Sequence, residues 1–304
     1  MVRKEIWRCS VSKQKKNRDF CQFIMNQEEI IRQSILEDVG DGDHSSLACI
    51  DADRMGQMKL LVKQEGILAG VEVAKQVLAI VDPTITMEQF MQDGDAVKVG
   101  DVAFIIHGPV RSMLTAERTL LNFMQRMSGI ATTARHYADK VAGTHATILD
   151  TRKTTPNMRI FEKYAVKVGG ASNHRFGLFD MVMLKDNHID FAGGIEQAID
   201  KTHAYLKSKG LNLKVEVETR SLDDVRRVLA HGGADRIMFD NFSVEQCREA
   251  AQLVNGRCET EASGGITDET LRAYAETGVD FISVGALTHH ISSLDMSLKF
   301  CKNE

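Results

Sequence analysis

The side chains best suited to chemistry in this chain lie between Thr151 and His188, in TRKTTPNMRIFEKYAVKVGGASNHRFGLFDMVMLKDNH. Seven cations (Arg152, Lys153, Arg159, Lys163, Lys167, Arg175, Lys185) face three acids (Glu162, Asp180, Asp186), a local charge of +4 in a chain whose formal total is -4. Arg152 and Lys153 follow the run ATILD, and Lys185 follows MVML. Apolar runs of that length bounded by polar residues read as buried strands. Cations fixed at the ends of such strands are placed to hold an anion, and arginine adds a planar fork matched to carboxylate or phosphate. Lys163 and Lys167 fall in a helical pattern, where a solvated basic face is the competing reading.

Further candidates occupy later strand ends. Glu218 and Asp240 close successive apolar runs. The many cations around them argue against a glycosidase pair. They suit ribose hydroxyls or a Mg²⁺ bridging a diphosphate, and equally well compensate the charge of Arg152, Lys153 and Lys185. Ser263-Gly264-Gly265-Ile266-Thr267 and Val284-Gly285-Ala286 come last. Glycines admit an oxyanion to backbone N–H groups, and phosphate loops of α/β barrels occupy this late position. His174, between Asn173 and Arg175, can donate to a carboxylate or be structural; both readings stay open. His188, His289 and His290 are read as structural. Asp41-Gly42-Asp43-His44-Ser45-Ser46 begins like a calcium loop, but Ser46 and Ala52 stand where that loop needs Gly and Glu, so it reads as a capping turn. No H-E-x-x-H, Walker, G-x-S-x-G or dinucleotide fingerprint occurs.

These residues need a scaffold of parallel strands. From Ala146 the runs ATIL, MVML, LKVEVE, RIMF, CETEA and FISV alternate with helical patterns over 157–168, 194–209, 221–231, 243–254 and 267–277. Six such units with right-handed crossovers make an α/β barrel with fewer than the full eight strands, its active site at the strands' C-terminal ends. Upstream, QMKLLVK, ITMEQFM and VAFIIHG read as strands and VEVAKQVLAIV as a helix, an α+β unit with turns at Asp93-Gly94-Asp95 and Gly100-Asp101. A helix from Gln27 is closed by Gly40. The pattern over 112–142 carries a buried stripe (Leu120, Met124, Met127, Ala131, Ala134, Ala138, Val141), and Gly129 is expected to break it into two helices. The opposite stripe, Arg118, Asn122, Gln125 and Gly129, is either a solvated face or a reach toward a site, including one on a partner subunit. LDMSLKF reads as a strand returning to the first domain. The expected boundaries are an arm over 1–26, an N-terminal domain over 27–130 joined by 291–304, and the barrel over 131–290.

With 43% hydrophobic and 26% charged residues in 304, the chain reads as a soluble globular protein. No apolar run is long enough for a membrane span. Six scattered cysteines without a C-x-x-C pair suggest reduced thiols and a cytoplasmic setting. A net negative charge gives no reason to expect nucleic acid.

Taken together, GPVRSMLTAERTLLN (108–122), SGIAT (128–132), DTRKTTP (150–156), GGASNHR (169–175), LKDNH (184–188), VEVE (215–218), DN (240–241), EASGGI (261–266) and VGALTH (284–289) resemble quinolinate phosphoribosyltransferases. The resemblance runs from about residue 28 to the C-terminus. It implies an N-terminal α/β sandwich, an open barrel of six to seven parallel strands, and a homodimer or higher assembly. It implies transfer of phosphoribosyl from phosphoribosyl diphosphate to quinolinate with loss of CO₂, using Mg²⁺. By the same resemblance Thr151, Arg152, His174 and Arg175 bind quinolinate beside Lys153 and Lys185. Arg118 is supplied across the dimer interface. Glu218 and Asp240 contact ribose and Mg²⁺-diphosphate, with Lys153 and Lys185 as their catalytic companions. Ser263, Gly264, Gly265, Ser283, Val284 and Gly285 form the 5′-phosphate loops. A lysine-based aldolase barrel using Lys153 or Lys185, and a non-catalytic binder of phosphorylated ligands, are the alternatives.

Overall fold

The computed structural model describes residues 26–301. The expected N-terminal arm lies outside them, except for Asn26, whose side chain caps the first helix by accepting the Glu28 amide. In chain order the elements are α1 (Gln27–Val39), α2 (His44–Cys49), β1 (Met55–Val62), β2 (Gly66–Ile67), α3 (Val71–Val81), β3 (Thr86–Gln89), β4 (Ala96–Val97), β5 (Val102–Pro109), α4 (Val110–Lys140), β6 (Thr147–Leu149) and α5 (Arg159–Val168). There follow β7 (Val182–Leu184), α6 (Asp186–Ala192), α7 (Ile195–Lys209), β8 (Val215–Thr219), α8 (Leu222–His231), β9 (Arg236–Asp240), α9 (Val244–Val254), β10 (Glu259–Ser263), α10 (Leu271–Ala275), β11 (Phe281–Ser283), α11 (Ala286–His289) and β12 (Met296–Phe300). Two compact units divide them. Unit 1 holds the described residues up to Thr132, Pro156–Val168 and the segment from Ser292; unit 2 holds Thr133–Thr155 and Gly169–Ile291.

Unit 1 is built on an antiparallel sheet of order β12-β1-β5-β3. Met58, Leu60 and Val62 alternate inward along β1, as the period-two pattern requires. The returning strand pairs with β1 as expected, Leu60 opposite Leu298. Helix α3 buries Val71, Val73, Ala74, Val77 and Leu78. The Asp41–Ser46 turn ends in a short helix, α2, with Asp43 accepting the Ser46 amide.

Two expectations are corrected here. Helix α4 is not broken at Gly129 but runs for 31 residues. A Cβ at Gly129 would collide with the Ser292 carbonyl oxygen, so glycine admits the returning chain at close range. Beside it Gln125 donates to Met296 O at 2.8 Å, and its own carbonyl accepts the Leu294 amide at 2.9 Å. Second, α5 was expected to follow the barrel but packs in unit 1. Phe161 is fully buried with its ring 4.8 Å from that of Phe123, a burial that contributes about 1.5–3 kcal/mol. Arg126 holds the buried Glu162 carboxylate at 2.6 Å, and Tyr164 donates to Asp93 at 2.7 Å. On the same helix Lys163 is buried and Lys167 exposed, so the solvated-face reading applies to Lys167 alone.

Unit 2 is a parallel sheet of order β6-β11-β10-β9-β8-β7. Its edge strands are β6 and β7, and Ser172, between them in sequence, adds a single parallel bridge to Leu149 of β6. Helix α6, which starts immediately after Lys185, was not anticipated. Strand β8 is buried throughout, although every second residue of V-E-V-E is acidic. Glu216 pairs with Arg236, and Glu218 and Glu261 both pair with Met238, so alternation turns these charged side chains to one face of the sheet.

Candidate active site

Unit 2 encloses a cavity of about 1000 Å³ at the C-terminal ends of its strands. Thr151, Arg152, Lys153, His174, Arg175, Lys185, Asp240, Ser263, Gly264, Gly265, Ser283, Val284 and Gly285 all line it. The structure thus brings together the cations expected from separate strand ends. Two expected residues stand apart. Glu218 is buried behind the wall and reaches it through Lys185, whose Nζ donates to Glu218 Oε2 at 2.9 Å. Arg118 is exposed on α4 in unit 1 and is absent from the lining.

Local sequence explains how each group is held. Lys153 follows a turn in which its amide donates to Thr151 Oγ1 at 3.0 Å, and its carbonyl accepts from Thr288 Oγ1 at 2.8 Å. Lys185 precedes α6, and its amide donates to His188 Nδ1 at 3.0 Å, the structural role expected for His188. Arg175 donates from Nη1 to Met181 O at 3.1 Å and places Nη2 3.6 Å from Met183 Sδ. Burial and the neighbouring Arg152 hold the Arg175 guanidinium below its ordinary range. Two such groups side by side are better accommodated with an anion between them.

The glycine turns are shaped for close approach. Gly264 has φ +89°, and a Cβ there would collide with Asn241 Oδ1. Asn241 is itself left-handed at φ 57° and donates its amide to Ser263 O at 2.8 Å. Ser283 donates to Ser263 Oγ at 2.9 Å, joining the two expected phosphate loops. A Cβ at Gly285 would come within 2.7 Å of His289 Nε2 and 3.2 Å of Lys153 Cδ. Asp240 is raised above the usual carboxylate range by burial and then by Glu218, and Asn241 donates to its Oδ2 at 2.8 Å.

His289 and His290 also line the cavity, their rings edge to face at 4.4 Å. Reading them as structural missed this. The signal was the spacing: His289 lies four residues after Gly285, one turn along α11, and folds back over that glycine.

His174 and Glu261, both in the cavity lining, belong to a buried charged cluster. His174 Nε2 is 3.0 Å from Glu216 Oε2 and 3.2 Å from Glu261 Oε2. Arg236 Nη1 donates to Glu261 Oε2 at 2.8 Å. Burial alone would depress the imidazole, but the Glu216 and Glu261 carboxylates beside it carry His174 up to about 9. Burial and the Glu261 charge raise Glu216 as well. The Arg175 amide donates to His174 Nδ1 at 2.7 Å, which favours the ring proton on Nε2.

Comparisons with known proteins agree with this arrangement. The family model "Quinolinate phosphoribosyl transferase, C-terminal domain" matches residues 130–299, and the corresponding N-terminal domain matches residues 43–128. A tobacco (Nicotiana tabacum) protein named quinolinate phosphoribosyltransferase (decarboxylating) 1b is 46% identical over 285 residues, 89% of this chain and 81% of the relative. A Bacillus subtilis protein named probable nicotinate-nucleotide pyrophosphorylase (carboxylating) is 41% identical over 271 residues, 89% of this chain and 92% of its own. The crystal structure of NadC from Streptococcus pyogenes superposes with a TM-score of 0.86 at 40% identity, covering 90% of this chain and 97% of that one. With both domains matched in order and the parallel sheet carrying the site, the chain belongs to the quinolinate phosphoribosyltransferase family.

Proposed function

We propose that this chain transfers the phosphoribosyl group of phosphoribosyl diphosphate to quinolinate, releasing diphosphate and CO₂ and forming nicotinate mononucleotide. The observation that carries this is the convergence of Arg152, Lys153, Arg175 and Lys185 with the Ser263-Gly264-Gly265 turn on one cavity. Four cations suit a diacid beside a phosphorylated sugar better than a monoacid such as nicotinate.

Arg152 and Arg175 take the two ring carboxylates and set the pyridine nitrogen toward C1′ of the ribose, so that attack is close and in line. The 5′-phosphate lies against the backbone N–H groups of Gly264, Gly265 and Gly285. As the C1′–O bond to diphosphate breaks, the nitrogen's electron pair forms the new C1′–N bond. Lys153 and Lys185 hold charge developing on the departing diphosphate. The nitrogen is then cationic and stabilises the electron pair left at C2 when the 2-carboxylate departs as CO₂; a proton from solvent completes the product.

The donor set fits Mg²⁺. Asp240 presents a carboxylate to the cavity, and Mg²⁺ is commonly held by one or two carboxylates together with substrate phosphates. Both Glu218 oxygens are engaged, by Lys185 Nζ and, at 3.4 Å, by the Asp186 amide, so Asp240 is the residue that would hold the ion. Bound there, Mg²⁺ would neutralise charge on the diphosphate. Arg118, exposed on α4, serves the cavity of a second copy in a homodimer or higher assembly. The four described cysteines are free thiols, which supports a cytoplasmic setting; no described helix is long and apolar enough to cross a membrane. The Lys185–Glu218 ion pair counts against a Schiff-base lysine. Mass analysis of the product tests the whole reading: nicotinate mononucleotide should appear only when quinolinate, phosphoribosyl diphosphate and Mg²⁺ are all present. Its absence from the complete mixture would refute it.

A further inference from the structure

Glu216 is fully buried in β8, lies outside the cavity lining, and makes its closest charged contact with His174. A buried carboxylate without a compensating partner is costly, so its placement points to a task performed through that histidine. Three elements converge there: Glu216 on β8, Arg236 on β9 and Glu261 on β10, with Arg236 fixing Glu261 at 2.8 Å and Glu259 at 2.9 Å. The ring they hold belongs to the loop carrying Arg175. That loop is stitched on its other side to Asp150, which accepts the His174 amide at 2.8 Å and the Asn173 side chain at 2.7 Å.

His174, Glu216 and Glu261 place their ligand-type atoms within 4.8 Å of one another, a grouping that resembles a metal site. Two contacts argue otherwise. The Arg175 amide on Nδ1 puts the ring proton on Nε2, the nitrogen a metal would need. Arg236 already sits against the Glu261 oxygen that faces His174. Both ring nitrogens therefore face groups of the protein, and these set the ring's orientation.

We infer that Glu216, with Arg236 and Glu261, is a positioning residue: through His174 it fixes the Arg175 loop and thereby the affinity for the dicarboxylate, without touching it. This rests on the phosphoribosyl-transfer reading, and the test separates the two. Steady-state kinetics of the whole chain with Mg²⁺, varying each substrate in turn, gives the readout. Loss of the carboxylate 3.0 Å from the ring makes Glu216→Leu raise the KM for quinolinate by about tenfold, with the KM for phosphoribosyl diphosphate within about twofold of the parent. Glu216→Gln, which keeps an oxygen for His174, should recover most of that loss. An unchanged quinolinate KM in folded Glu216→Leu, or equal rises for both substrates, overturns the inference. If Glu216→Leu does not fold, Glu216→Asp, which draws the carboxylate back from the ring, is combined with Arg175→Lys. A Glu216 effect that vanishes in that background supports the inference, and full additivity overturns it. A parent chain that never turns over quinolinate refutes the functional reading instead.

Discussion

Replacing Arg175 by Met should separate function from stability. The guanidinium spends one N–H on Met181 O and lies against Met183 Sδ, leaving donors for a carboxylate. Two hydrogen bonds to a charged group together contribute about 3 kcal/mol, so kcat/KM for quinolinate should fall roughly a hundredfold. The free protein should lose little. Burial and Arg152 both disfavour the charge at this position, and a methionine of similar length removes the like-charge contact while covering the same apolar wall. Replacing a half-buried charge crowded by a like charge with a packed apolar side chain is often neutral or stabilising by about 1 kcal/mol or more. Thermal unfolding without ligand should therefore occur at or above the parent temperature. Added quinolinate should stabilise the parent and leave the variant unmoved, because only binding to the folded state shifts the transition. A variant that unfolds at a markedly lower temperature while still responding to quinolinate would show that Arg175 is structural.

Three further outcomes follow from the geometry. Arg118→Ala and Arg175→Ala chains, each inactive alone, should regain activity on mixing if Arg118 serves a second copy's cavity; proven subunit exchange without recovery contradicts the shared site. Gly264→Ala meets both the Asn241 side chain and a φ of +89°, a strain of about 1–3 kcal/mol; the KM for phosphoribosyl diphosphate should rise with that for quinolinate little changed, and the reverse pattern would remove the turn from the phosphate site. Burial pushes the Cys247 thiol up to about 12, so its thiolate grows only as pH approaches that value. Iodoacetamide at pH 8.5 should modify the exposed Cys49 and spare Cys247 in the folded chain; rapid loss of the Cys247 thiol under those conditions would contradict its burial.

The strand-and-helix rhythm was legible because each run keeps one period long enough to read, and polar residues at strand ends mark where buried backbone meets solvent. What a helix packs against was less legible. The apolar face of α5 says that it packs, but Phe161 meeting Phe123 and Glu162 meeting Arg126 are long-range facts. Gly129 read as a weak point because helix propensity describes a chain alone, whereas the position is set by the Ser292 backbone passing against it. The opposite stripe divides for the same reason: Gln125 and Gly129 receive the returning segment, and Arg118 and Asn122 stay exposed. Glu216, Arg236 and Glu261 were not singled out as a cluster. Alternation places acids on one face of β8, but only the register of β8, β9 and β10 shows that they meet a histidine from another loop.

The central claim is that the cations of this cavity hold a pyridine diacid next to an activated ribose and that one carboxylate leaves. Carboxyl-labelled quinolinate incubated with phosphoribosyl diphosphate, Mg²⁺ and the chain should release CO₂ and diphosphate in equal amounts, with nicotinate giving neither. Diphosphate release with nicotinate, or with quinolinate but without CO₂, would contradict it.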